Sequence, residues 1–151
     1  MYPVIVVLLM LVLPLGSVAI EHAQTSAPLM MLVGKWFVFW SVGVRLLLAG
    51  LRQFFQPSFT AREIFAIESD EVLPLIRELG VANFASGVVG MASLAMPGFV
   101  LPVAISAAIF YGVAGVRHVV AAHRTRNESI AMVSDLFIAA ILCAVIVKAV
   151  M

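Results

Sequence analysis

Five apolar runs dominate the chain, at about 2–20, 28–53, 72–96, 99–122 and 129–150, and each approaches the length needed to cross a bilayer. A helix rising about 1.5 Å per residue needs roughly twenty mostly apolar residues to traverse a hydrocarbon core of about 30 Å. Lipid offers no hydrogen bonds, so a spanning segment must satisfy its own backbone, and runs of this length do so as helices. Composition agrees: the 151 residues are 64% hydrophobic and 11% charged, where a soluble domain is about 25% charged. A chain this short has too little interior to hide so much apolar surface from water. A soluble enzyme, a nucleic-acid binder and a disordered protein are thereby excluded. The expected architecture is an all-α membrane protein in which residues 28–150 form four core transmembrane helices. An additional N-terminal hydrophobic helix covers 1–20, and a short interfacial helix lies between spans.

The punctuation supports these divisions. Pro28 is placed to open the second helix, where its missing N–H would be unpaired in any case. Pro57 stops that helix, Met96-Pro97-Gly98 makes a tight turn, Pro102 falls in the first turn of the fourth helix, and Asn127 is placed to cap the fifth. Thr60-Ala61-Arg62-Glu63 has the capping-box pattern and is followed by Ile64, Phe65 and Ile67. It predicts an interfacial helix over about 60–68, with Phe54, Phe55 and Phe59 dipping into the headgroup boundary; a plain solvated connector is the alternative. The first run also has a signal-like reading, with Ser17-Val18-Ala19 as a small-residue cleavage site. Its start carries no Lys or Arg, which favours a retained helix over a secretory leader.

Charge sets an orientation. Five spans place 54–71 and 123–128 on one side, and Arg52, Arg62, Arg124 and Arg126 collect there. The opposite side has only Lys35 and Lys148, which can snorkel from the helix ends. The positive-inside rule then puts the N-terminus in the cytoplasm and the C-terminus outside. Trp36, Phe37, Phe39 and Trp40 read as an outer aromatic belt. The net charge of +1 provides no polybasic or acidic partner surface.

The ionisable residues inside the spans are the most informative. Such residues are costly in lipid and usually face the bundle or a water-filled cavity. Counting outward from the turns places Arg45, Glu78, Arg117, His118 and Asp135 at one level, about 8–15 Å from the cytoplasmic end at about 1.5 Å per residue. Helical periodicity adds azimuth. Gly80, Asn83, Gly87, Gly90 and Leu94 form one small-residue stripe, and Ala104, Ala108, Tyr111, Gly115, His118 and Ala122 form another. Small residues let membrane helices approach closely, and polar side chains on such faces bond across them. Gly34, Ser41, Arg45, Ala49 and Arg52 share a face of the second helix, whereas Glu78 projects roughly opposite Gly87. The candidate buried polar cluster is therefore Arg45, Glu78, Asn83, Arg117, His118 and Asp135. The plain alternative is interhelical glue and neutralised pairs that fix register.

Several motifs carry a resemblance: Arg77-Glu78-Leu79-Gly80-Val81-Ala82-Asn83, Gly87-Val88-Val89-Gly90, Gly115-Val116-Arg117-His118, Asn127-Glu128 and Ser134-Asp135. Together they resemble a family of small bacterial membrane proteins of unknown function. More distantly, residues 30–150 are similar to DoxX-like four-helix membrane proteins. The resemblance implies a bacterial inner membrane and a four-helix core, with 1–20 as an addition. Some DoxX-like proteins are associated with quinone-linked sulfur oxidation or redox and stress complexes, but no catalytic residues carry over. The one cysteine, Cys143, lies in an apolar run and offers no thiol pair for disulfide exchange.

Three functions remain. The first is a non-catalytic bundle, free-standing or an accessory subunit, with a homo-oligomer or larger membrane complex as its setting. No nucleophile–base pair, metal spacing or phosphate loop accompanies it, and no cofactor is predicted. The second is a small transporter or proton pathway using Glu78, Asp135 and His118. The third is a quinone- or lipid-binding subunit of a membrane redox complex, for which an apolar cavity reaching the polar level would speak.

Overall fold

The computed structural model describes residues 2–120 and 125–151, which leaves Ala122, His123 and Arg124 outside the described residues. Helices α1 (Pro3–Gln24), α2 (Leu29–Phe55), α3 (Asp70–Ala92), α4 (Pro97–Val120) and α5 (Arg126–Val150) are each long and apolar enough to cross a membrane. With no strand among the described residues, the chain is an all-α membrane protein, as its apolar runs dictate.

Helix α2 is the hub, in contact with each of the other four. Phe37, Val38, Val42 and Leu46 of α2 join Val6 and Met10 of α1, Ala104, Ala107 and Tyr111 of α4, and Ile138 and Leu142 of α5 in the apolar core. The first helix is thus no appendage: it supplies core side chains, whereas α3 supplies none. Helix α3 is attached differently, along a seam of glycines on α2. A Cβ built on Gly90 would lie 2.7 Å from Gly43 Cα, and one on Gly87 would lie 2.7 Å from Leu47 Cα. Only hydrogen fits there, so the small-residue stripe of α3 does bring two backbones together. The opposing Gly43, Leu47 and Gly50 lie on the face of α2 away from its Arg45 face. By contrast α3 barely touches α4, despite the short turn joining them.

Three stretches among the described residues are π-helical, Leu8–Val12 in α1, Val38–Val44 in α2 and Thr60–Ile64 in the segment between α2 and α3. In the second, the Arg45 N–H reaches back to Trp40 O and passes over the Ser41 carbonyl. The Tyr111 hydroxyl donates to that carbonyl at 2.6 Å, and the Ser41 hydroxyl donates to Leu9 O at 3.2 Å. Helices α4, α2 and α1 are therefore pinned together through one buried serine.

Several helix ends differ from the expected ones. Pro28 is the N-cap of α2, with an extended ψ of 131°, and Leu29 is the first helical residue. Thr125, not Asn127, caps α5: its hydroxyl accepts from Glu128 N at 3.0 Å and donates to Glu63 O at 2.9 Å. The connecting helix starts earlier than 60–68, running as Pro57–Phe59 and then Thr60–Ile64. Pro57 can begin it without loss of a hydrogen bond, so Thr60 falls in mid-helix and is buried. The helix ends before Ala66, whose φ of 54° turns the chain away. Phe54 and Phe55 are exposed, while Phe59 is half-buried beneath Arg52.

At the opposite end, Lys35 does not snorkel alone. Its Nζ lies 2.7 Å from Glu21 Oε2, which also accepts from Trp36 Nε1 at 2.6 Å. Trp40 Nε1 donates to Ser17 Oγ at 3.0 Å. These contacts set the register of the α1–α2 hairpin. Cys143 points outward and is exposed, like most lipid-facing residues of α5.

Candidate functional site

At the end of the bundle that carries Arg52, Arg62, Arg77 and Arg126, the loose α3–α4 contact leaves a cavity of about 630 Å³. Its volume lies within the roughly 300–1,000 Å³ typical of small-molecule sites. The walls are mostly apolar, with Leu46 and Ala49 from α2, Leu79 from α3, and Ile109, Phe110 and Val113 from α4. Ile109 and Val113 are themselves exposed on the outer surface, so the cavity communicates laterally with the lipid-facing side. The connecting helix closes it from the Arg-rich end with Phe59, Thr60, Ile64 and Phe65.

Polar side chains reach this apolar space from four of the long helices. Asp135 of α5 is 5% exposed, and its Oδ1 accepts no hydrogen bond among the described residues. Arg45 and His118 act on it electrostatically. The Arg45 guanidinium stands 6.0 Å from the Tyr111 ring, and its Nε lies 2.9 Å from Met10 Sδ. Asn83 is buried and donates to Gln53 Oε1 at 2.8 Å, which fixes both amides at the α2–α3 seam. His118 is buried with its Nδ1 2.8 Å from Glu128 Oε1, and its ring stacks beside Phe65. Arg52 lies over Phe59 at 3.5 Å, with its Nε buried and unpartnered among the described residues.

Of the six residues expected to cluster, Arg45, Asn83, Arg117, His118 and Asp135 all line this cavity. Arg117 does so from an exposed position, with its guanidinium 5.5 Å from the Phe65 ring. Glu78 is exposed and does not line the cavity, because its azimuth on α3 turns it away from the Asn83 face. Glu78 therefore takes no part in the expected cluster. Two participants escape the sequence pattern. Arg52 reads there as a topogenic charge on the Arg45 face of the second helix, and Glu128 as part of a resemblance motif at the edge of a loop; neither belongs to the expected cluster. The capping pattern Thr125-x-x-Glu128 is the available signal for Glu128, since it puts that residue inside the first turn of α5. Among the described residues no three His, Cys, Asp or Glu side chains converge as a metal site would require.

Fold and site together define a multi-pass helical membrane protein with a laterally open cavity, mostly apolar in its walls and lined in part by charged side chains. The chain belongs to a family of unknown function (DUF6790), whose model matches residues 1–151 and so includes α1. Neither curated proteins nor solved structures include a match to it.

Proposed function

We propose that this protein is a non-catalytic membrane bundle that holds a membrane-soluble amphipathic molecule in the cavity at its Arg-rich end, either alone or as an accessory subunit of a larger assembly. One observation carries this reading: an apolar cavity of about 630 Å³ is lined by the buried Asp135, His118 and Asn83. Apolar walls with a few convergent polar groups are what a ligand site offers. The distant DoxX-like resemblance adds a quinone to the lipids as an occupant of this kind. A conducting pathway through Glu78, Asp135 and His118 draws less support, because Glu78 faces away from the cavity.

Filling the space tests the reading. Ala114→Phe adds a ring where Ala114 lines the wall. The expected result is a folded, monodisperse protein that loses at least about tenfold of the amphiphile retained by the wild type in native mass spectrometry. Equal retention by the two proteins would remove the cavity from the argument.

The same reading places the protein in a bacterial cytoplasmic membrane with its N-terminus inside. Arg52, Arg62 and Arg126 all belong to one end of the bundle, as the positive-inside rule asks of a cytoplasmic face. In a Cys143→Ala background, a cysteine at Glu68 should react with a membrane-impermeant maleimide only after cell lysis. A cysteine at Met96 should react in intact cells, and the reverse pattern would invert the orientation.

A further inference from the structure

The headgroup the cavity accepts can be read from its two unsatisfied polar atoms. Among the described residues, Arg52 Nε is a buried donor without an acceptor, and Asp135 Oδ1 is a buried acceptor without a donor; both residues line the same space. Buried polar groups left unpaired are expensive, and charged ones more so. A molecule that supplied an anionic acceptor to one and a donor to the other would satisfy both. Charge sets the kind of anion. Arg45, Arg52 and Arg117 line the cavity against the single carboxylate of Asp135, three positive charges less one negative, which leaves two positive. A phosphate monoester carries about −1.5 to −2 near neutral pH, whereas a carboxylate carries only one negative charge. Guanidinium also matches phosphate in bidentate geometry. Depth sets the order of the groups. Arg52 lies over Phe59 of the connecting helix, at the Arg-rich end of the bundle. Asp135 senses Arg45, seven residues deeper along α2, or about 10 Å. The donor must therefore sit on the chain side of the phosphate, as a hydroxyl between phosphate and tail does. A headgroup ammonium, which lies on the water side, would not reach it.

We infer that the cavity binds a single-chain phosphate monoester with a free hydroxyl between phosphate and chain, the 1-acyl-glycerol-phosphate type. Arg52 holds the phosphate, Asp135 accepts from the hydroxyl, and the chain leaves past Ile109 and Val113 towards lipid. This inference rests on the reading of the cavity as a binding site. The same headgroup chemistry also exists in free glycerol 3-phosphate, and the test separates the two sources.

The full-length protein in mild detergent is offered four ligands in competition, read by native mass spectrometry. They are 1-oleoyl-glycerol 3-phosphate, its 2-deoxy analogue, oleate and glycerol 3-phosphate. The expected result is at least tenfold preference for the first over each of the others. Arg52→Gln should weaken retention of both phosphate amphiphiles at least tenfold, and Asp135→Leu should erase the distinction between the hydroxyl and deoxy forms. Equal retention of those two forms by the wild type, a preference for oleate, or equal binding of glycerol 3-phosphate overturns the inference. The wild-type competition decides this even if a variant fails to fold. Retention of a quinone or diacylglycerol that Ala114→Phe abolishes would keep the cavity and overturn the headgroup. Retention of no amphiphile at all would overturn both.

Discussion

Gly87→Ala should detach α3 from α2, whereas Gly16→Ala, the same added methyl on α1, should leave the protein as stable as the wild type or slightly more so. The contrast arises from the surroundings each methyl meets. At Gly16 a Cβ finds nothing within 4 Å, while at Gly87 it runs into the backbone of Leu47, including Leu47 N, and lies 2.9 Å from Gly43 O. Backbone atoms of two hydrogen-bonded helices cannot step aside as a flexible side chain can, so the helices themselves must separate. Overpacking of a fitted contact costs about 1–3 kcal/mol, and this seam is the main seat of α3, which contributes nothing to the apolar core. Alanine for glycine at an unhindered helical site gains roughly 0.5–1 kcal/mol. Thermal denaturation in detergent should therefore rank the variants as Gly16→Ala at or above wild type and Gly87→Ala well below both. A disulfide between cysteines at Gln53 and Asn83, the amide pair that bridges the seam, should form less readily with Gly87→Ala. Because α3 also supplies Leu79 and Asn83 to the cavity, loss of bound amphiphile should precede loss of fold. If Gly87→Ala matches Gly16→Ala in both readouts, the seam does not hold the bundle together.

Periodicity reveals some of this architecture and hides the rest. Gly80, Asn83, Gly87 and Gly90 recur every three or four residues, so their common face is legible in the sequence and the structure buries all four. His118 has a countable depth and a place on a small-residue stripe, Asp135 a countable depth alone, and both are buried. Glu78 has the right depth alone; a residue count measures height along a helix, and its exposed position depends on rotation. Lys35 and Glu21 read as a helix end and a loop, yet an extra turn of α1 carries Glu21 up to Lys35. The π-helical turns at Leu8–Val12 and Val38–Val44 add a further difficulty. Each extra residue rotates the rest of the helix by about 100°, so a face extrapolated through such a turn loses its phase. The cavity itself is beyond the reach of periodicity, because it arises where two helices fail to touch, and no single helix records that.

His118→Ala should destabilise the bundle by about 3 kcal/mol, the magnitude expected when a buried charged group loses its partner. Glu128 is 6% exposed, and His118 Nδ1 stands 2.8 Å from its Oε1, so truncating the ring leaves a carboxylate enclosed without that donor. Two features limit the damage: Glu128 sits in the first turn of α5, where the helix dipole favours negative charge, and its own N–H is capped by Thr125. Glu128→Gln should cost less, about 1 kcal/mol, because a neutral amide can still accept from the imidazole. The pair His118→Ala with Glu128→Gln should then lose less than the two single losses summed, since the stranded charge is gone. The ring also stacks beside Phe65, so His118→Ala loosens the connecting helix over the cavity while Glu128→Gln does not. Denaturant titration of the four proteins measures the coupling, and proteolysis near Phe65 reads the loosening. Strict additivity would mean that His118 and Glu128 are neighbours without being partners, and that the closed end of the cavity is held by something else.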